Sequence, residues 1–366
     1  MKGKAVTVFL TAGTVVLLFL ATGFLHNPEL QNSFSISEKL ACKQSPGLRV
    51  FGIDLLLVIV YSVPVYDSLP TLKALYQDVF PNILVCGPEP SNIYKIQITD
   101  IGIRGFFSYE CMGRAIRENP GYNGYLYIND DMIVNWWNLV RLDKTLIWQG
   151  QEIVKGLEIL PREEDRAEQL KQPELDEWQW WKTEMGISAC ADAYNEIAEI
   201  TRSKKSKLMS KAIRIFLENG YGKPFCYRGW SDLFYIPKRF AKMFSTLCSY
   251  FYKNRVFLEM AVTSMIRMLD LSKNTVNLNG LYLYGVPDFL KKGTFWKYYN
   301  TNITFVHPFK LHYSNSRVYN YYMLQTLVLR KRDEMLDSIW PGLCKSGSQS
   351  DSDSVVSGQL DSTENT

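Results

Sequence analysis

The chain has 366 residues, 46% of them hydrophobic and 14% aromatic, with a formal net charge of +4. This length suits one large α/β domain or two modest ones, and the apolar content belongs to a well-packed globular body rather than a disordered chain. Beyond Lys204, Lys205 and Lys207 there is no basic block, which sets nucleic acid aside as a partner.

Residues 5–25 carry no charge and are apolar apart from scattered Thr and Gly, a stretch long enough to cross a bilayer. Lys2 and Lys4 precede it and keep the tail, residues 1–4, in the cytoplasm. The expectation is an uncleaved transmembrane signal anchor of a single-pass type II protein. A cleaved signal peptide ending near Ala21-Thr22-Gly23 is the alternative. Either puts the body in the secretory lumen. Cys42, Cys86, Cys111, Cys190, Cys226, Cys248 and Cys344 lack CxxC spacing, which argues against zinc. An oxidising lumen lets pairs of them bridge, and the odd count leaves one over. Asn302-Ile303-Thr304 is an N-glycosylation sequon that suits lumenal exposure.

Residues 26–47 read as a polar stem, and 48–344 as the lumenal domain. LLLVIVY at 55–61 is a continuous apolar run of the buried parallel-strand type. Asp67-Ser68-Leu69-Pro70 supplies a capped helix start, and Leu72, Leu75, Tyr76, Val79 and Phe80 follow at helical spacing. Pro81 stops that helix before a second strand, NILVC at 82–86, which makes a βαβ unit. The pattern repeats with Phe107, Cys111, Met112, Ala115 and Ile116 on one helix face, then a strand at 125–128. Residues 48–140 therefore look like the nucleotide-binding half of an α/β layer. Residues 161–205 are charged and helical, a helical insertion whose Trp178, Trp180 and Trp181 either pack or form a platform for sugar rings. The later half, 206–330, resumes with a strand at 232–236. A helix follows with Phe240, Met243, Phe244, Leu247 and Phe251 on one face, then another with Phe257, Met260, Ala261, Ser264 and Met268. A last strand at 302–306 ends at His307-Pro308, and residues 345–366 form a polar, disordered tail.

The apolar strand GYLYI runs directly into Asn129-Asp130-Asp131. Ligands of open α/β sheets bind at such strand ends, and neighbouring carboxylates there hold a hard divalent cation. Alternation points residues 129 and 131 the same way, so they can share Mg²⁺ or Mn²⁺ while Asp130 faces a ribose or sugar hydroxyl. The cation would bridge two phosphates and stabilise a nucleoside diphosphate leaving group. A solvated Asn-Asp-Asp turn is the competing reading, and the preceding apolar run favours the site. His307 can complete the metal shell or simply open a loop, and Lys310 can meet a phosphate. Glu259 lies opposite the apolar stripe of its helix, facing water or a cleft, where it can serve as general base. Arg104 can pair with a diphosphate or be a plain surface arginine, and Tyr61 can stack on a base or be a plain strand-end tyrosine. No Walker-type loop supports a phosphotransferase or nucleotidyltransferase.

GYLYINDDMIVNWWNL at 124–139, behind an N-terminal anchor, resembles the STELLO family of Golgi glycosyltransferase-like membrane proteins. The motif order also resembles GT-A glycosyltransferases of the glucuronyltransferase and exostosin-like kind. Arg104-Gly105, the DxD-like strand end, SDLFYI at 231–236, Phe257-Leu258-Glu259, and Val306-His307 with Lys310 follow one another over residues 50–315. The resemblance implies a GT-A fold with a mostly parallel sheet flanked by helices. It implies metal-assisted transfer from a UDP- or GDP-sugar to a glycan or glycoprotein acceptor, with Asn129, Asp131 and His307 as metal ligands. Tyr61, Arg104, Asp130 and Lys310 would hold the donor, and Glu259 would be the base if configuration inverts. Asn129 departs from the first Asp of the DxD pattern and leaves the metal chiefly to Asp131. The resemblance also implies an alternative, a catalytically silent scaffold that organises other Golgi glycosyltransferases.

Overall fold

In the computed structural model the run LLLVIV is strand β1 (Leu55–Val60), buried at every position. The structure describes residues 55–150, 155–203, 206–284, 286–288, 290–312 and 317–339. The chain divides into a unit of residues 49–335 and a second of residues 1–48 and 336–366, of which only 336–339 are described. The expected tail, anchor, stem and disordered C-terminus thus lie outside the described residues. Among the described residues no helix is long and apolar enough to cross a membrane.

The elements of the larger unit follow the apolar periodicity. Helix α1 (Leu69–Tyr76) buries Leu69, Leu72, Leu75 and Tyr76. Pro70 sits in its first turn, but Ser68 makes no capping bond, and its hydroxyl shares a hydrogen bond with the Tyr61 hydroxyl instead, at 2.9 Å. Next come β2 (Asn82–Gly87), the two-residue β3 (Gln97–Ile98), α2 (Tyr109–Glu118) and β4 (Gly124–Asn129). Short strands β5 (Ile133–Val134), β6 (Ile147–Gln149) and β7 (Lys155–Glu158) precede α3 (Glu163–Gln169), α4 (Ile187–Ser203) and α5 (Lys207–Asn219). Then β8 (Phe225–Arg228), β9 (Leu233–Pro237), α6 (Lys238–Lys253) and α7 (Leu258–Leu269) carry the chain back to the sheet. Strands β10 (Thr275–Asn277), β11 (Gly280–Tyr282) and β12 (Phe305–His307) follow, and Arg317–Ile339 closes the described chain as helix with a π segment over Leu324–Leu329.

The central sheet has seven strands in the order β10-β6-β9-β4-β1-β2-β3. Its pairs are parallel except that β9 runs against both β4 and β6. This is a mixed α/β architecture, a mostly parallel sheet flanked by helices. Leu56, Val58 and Val60 of β1 join Tyr125 and Tyr127 of β4 and the apolar stripes of α2, α6 and α7 in one buried cluster. Leu57 and Ile59, pointing the other way, are equally buried, so both faces are covered. Across the β4–β9 pair, Tyr127 lies opposite Phe234 and their rings stack at 4.5 Å.

Two devices bring distant segments to the end of β4. The β4–β9 register sets Ile128 against Leu233, so the residues just before β9 meet those just after β4. Asn129 N–H donates to the Asp232 carbonyl at 3.1 Å, and Asp130 N–H to the Val60 carbonyl at 2.9 Å. A small sheet, β11-β12-β5, pairs Val306 with Ile133 and folds His307 back over Asp131. Disulfides Cys86–Cys111 and Cys190–Cys226 tie β2 to α2 and α4 to β8, and Cys248 is free and buried.

Candidate active site

Where β4 ends, the chain leaves a cleft of about 860 Å³ lined by residues from eight separate stretches. Asp130 and Asp131 enter from β4, Asp232 from the start of β9, and His307 and Lys310 from β12 and the turn after it. Glu259 comes from the first turn of α7, whose start is pinned by Leu258 N–H to the Phe106 carbonyl at 2.8 Å. Asp131 is the hub. Its Oδ1 lies 3.2 Å from His307 Nε2 and its Oδ2 is ion-paired with Lys310 Nζ. The same His307 Nε2 is 3.6 Å from Asp232 Oδ1.

The surroundings drive these groups apart in proton affinity. Burial alone would raise Asp131, but the charges of Lys310 and His307 and their hydrogen bonds hold it well below the usual carboxylate range. Asp130 is pushed up to about 7 by burial and by the neighbouring Asp131 charge, although Lys310 opposes. Burial also raises Asp232, against the pull of His307. His307 shifts upward although burial disfavours its charge, because Asp232 and Asp131 face it. Glu259 is pushed up to about 8, first by burial and then by Asp232, with His307 and Arg228 opposing.

Of the residues singled out in the sequence, Arg104, Asn129, Asp130, Asp131, Glu259, His307 and Lys310 all line this cleft. Arg104 is exposed at its rim, in a turn with φ of 54°. Asn129 is held one step back from the hub. Its carbonyl oxygen accepts from the Tyr127 hydroxyl at 2.8 Å and its amide donates to Asp232 Oδ1 at 2.7 Å. It orients Asp232, and both ends of its side-chain amide are engaged by Tyr127 and Asp232 rather than turned to Asp131. Tyr61 is fully buried beneath β1, edge-on to Tyr66 at 5.0 Å, with no open ring face for a base to stack on. Base stacking by Tyr61 is set aside for that reason. Trp178 and Trp180 line the cleft while Trp181 is buried in the core. Asp232, Arg228 and Trp230 were not singled out. Their signal is the stretch RGWSD at 228–232, polar and aromatic residues delivered to the mouth of an apolar strand.

Among the described residues no group of three or more His, Cys, Asp or Glu is arranged to hold a metal ion. Asp131 and His307 nevertheless place an oxygen and a nitrogen donor 3.2 Å apart, the separation of adjacent ligands on a cation with bonds of about 2.1 Å. Hard cations of the Mg²⁺ type are commonly bound by one or two carboxylates, substrate phosphates and water, so a donor pair of this kind fits one held together with a diphosphate.

No family model matches the chain. It is similar to the probable glycosyltransferase STELLO2 of Arabidopsis thaliana, 19% identical over 239 residues, covering 64% of this chain and 27% of that protein. The probable glycosyltransferase STELLO1 of the same plant is 22% identical over 106 residues, 29% of this chain and 13% of that protein. The chain thus matches about a quarter or less of the length of these curated relatives. The similarity is distant, and what it supports is a likeness to proteins named as probable glycosyltransferases.

Proposed function

We propose that the protein is a metal-dependent glycosyltransferase of the GT-A type that moves a sugar from a UDP- or GDP-sugar to a glycan or glycoprotein acceptor. The observation that carries this reading is the meeting of Asp130, Asp131, Asp232, His307, Lys310 and Glu259 from separate segments in one cleft at the strand ends. Asp131 and His307 would hold Mn²⁺ or Mg²⁺, which when bound neutralises the diphosphate leaving group. Lys310, now on Asp131, is within reach of the same anion and can turn to a phosphate oxygen. Arg104 at the rim offers a second cation to the diphosphate. Asp130, with a proton affinity near neutrality, can donate to or accept from a ribose or sugar hydroxyl. Glu259, in its ionised form, whose share grows as pH rises toward about 8, takes the proton from the acceptor hydroxyl as that oxygen attacks the anomeric carbon and the carbon–phosphate-oxygen bond breaks, with inversion of configuration. The body is assigned to the Golgi lumen behind an N-terminal anchor, a topology that the two disulfides support.

The Lys310–Asp131 ion pair favours a second reading, because it neutralises the hub without a metal. On that reading the domain is a silent scaffold that organises other Golgi glycan-synthesising enzymes. A thermal-shift screen of the purified protein against nucleotide sugars, with and without Mn²⁺, followed by assay of UDP or GDP release, separates the two. Metal-dependent stabilisation by one donor and slow hydrolysis, abolished in Asp131→Ala, supports the enzyme. No shift and no release with any donor supports the scaffold.

A further inference from the structure

The wall of the cleft beside Glu259 carries a cation that no carboxylate among the described residues holds in an ion pair. Arg228, the last residue of β8, lines the cleft with its guanidinium over the Trp178 ring, 5.1 Å from the centroid. Among the described residues it forms no ion pair, in contrast to Lys310, which is held by Asp131. Glu259 is tied to the same wall through the next residue, Gly229, whose N–H donates to the Glu259 carbonyl at 3.2 Å. The Glu259 carboxyl is close enough to feel the Arg228 charge, which opposes its upward shift, but among the described residues the two form no ion pair.

A guanidinium laid over an indole keeps its N–H edge free, and that edge matches a planar or tetrahedral oxyanion in a two-point fork. Around it, Trp178, Trp180 and Trp230 are half-buried and line the cleft, an amphipathic surface of the kind that takes the C–H face of a sugar ring. Phe257 stacks on Trp180 at 4.5 Å, and Tyr282 on Trp230 at 4.2 Å, so both indoles are held by neighbouring rings. Bracing lowers the entropy lost when a ligand settles on them.

We propose that this arm is the acceptor subsite and that it takes an acidic glycan, with a carboxylate or sulfate on the Arg228 fork and the sugar ring against the tryptophans. The proposal rests on the glycosyltransferase reading for the word acceptor, but the binding it describes needs neither donor nor metal.

The test is retention of the full-length protein on a glycan array carrying matched neutral, carboxylated and sulfated sugars, without nucleotide. The expected result is a preference of about tenfold or more for an acidic glycan over its neutral counterpart, the effect of one charge-assisted hydrogen bond. Arg228→Gln should bring acidic binding down to the neutral level, and Arg228→Lys should restore part of it. Thermal unfolding of each variant checks that the fold is retained. Preference for carboxylated or for sulfated sugars identifies the anion, and either supports the proposal. Equal retention of neutral and acidic sugars, or an undiminished acidic preference in Arg228→Gln, overturns it. Nucleotide-sugar binding measured alongside separates the two claims: with donor binding present and no acidic preference, only this inference fails. With an acidic preference and no donor binding, the transferase reading fails and the glycan site stands.

Discussion

Asp131 and Glu259 share a cleft, yet their surroundings push them in opposite directions, and each shift has a measurable consequence. Asp131 is stabilised as an anion by Lys310 and His307. Asp131→Asn removes the charge at the same size and is expected to cut metal-dependent donor turnover by about 100-fold or more, read as nucleotide release. Glu259 binds its proton more tightly in the folded chain, at about 8 against an ordinary 4.5. Between those values the folded state holds a proton that the unfolded state has lost, so stability falls as pH rises through this window. Glu259→Gln should therefore gain on the parent by about 1–2 kcal/mol more at pH 8.5 than at pH 5, the full shift being discounted because the side chain opens onto cleft water. Chemical denaturation at the two pH values reads it, and an equal difference at both would contradict the burial argument. Asn129→Leu leaves Asp232 without its amide donor and the Tyr127 hydroxyl with one acceptor fewer, a cost of about 1–3 kcal/mol in unfolding free energy. Asp130, Asp131, His307, Lys310 and Glu259 were legible in the chain because each follows an apolar run or opposes an apolar stripe. Asp232 was not, since only the antiparallel β4–β9 register brings it beside Asn129. Tyr61 had the right position in sequence, but Ser68 and Tyr66 enclose its ring.

Among the elements, β1, β2, β4, β9, α2, α6 and α7 were readable because long apolar runs or 3.6-residue stripes report burial directly. The expected last strand at 302–306 is shifted to Phe305–His307, and α7 begins at Leu258, with Phe257 as its N-cap. Strands β3, β5, β6, β7, β8, β10 and β11 have two to four residues and take their pairing from distant partners, so no local periodicity marks them. The turn before α2 is a case where local chemistry decides. Gly105 has φ of 78°, and a Cβ there would lie 2.9 Å from Ser62 Oγ. Gly105→Ala should cost about 1–3 kcal/mol, seen as a lower denaturation midpoint, and should displace Arg104 from the rim. The disulfides brace the same layer, closing separations of 25 and 36 residues. Reducing both is expected to remove about 2–4 kcal/mol per bridge and lower the melting temperature, whereas an unchanged melting curve would contradict a structural role.

At the scale of the whole described unit, the two sheets have separate tasks. The seven-stranded sheet supplies the rigid edge from which Asp130 and Asp131 project, and the β11-β12-β5 sheet closes over it with His307 and Lys310. Residues nearly 180 positions apart thus form one charge cluster, and an isolated half of the domain would lack either the carboxylates or the groups that control them. The account stands on Asp131 and His307 gripping one divalent cation under a diphosphate. Electron paramagnetic resonance of Mn²⁺ measures that grip without requiring turnover. The six-line signal of free Mn²⁺ should fall toward one ion bound per chain when the protein and a UDP- or GDP-sugar are both present, and should persist with Asp131→Asn. A free-ion signal that neither protein nor any nucleotide sugar diminishes, or one that Asp131→Asn diminishes as well as the parent does, would contradict the account.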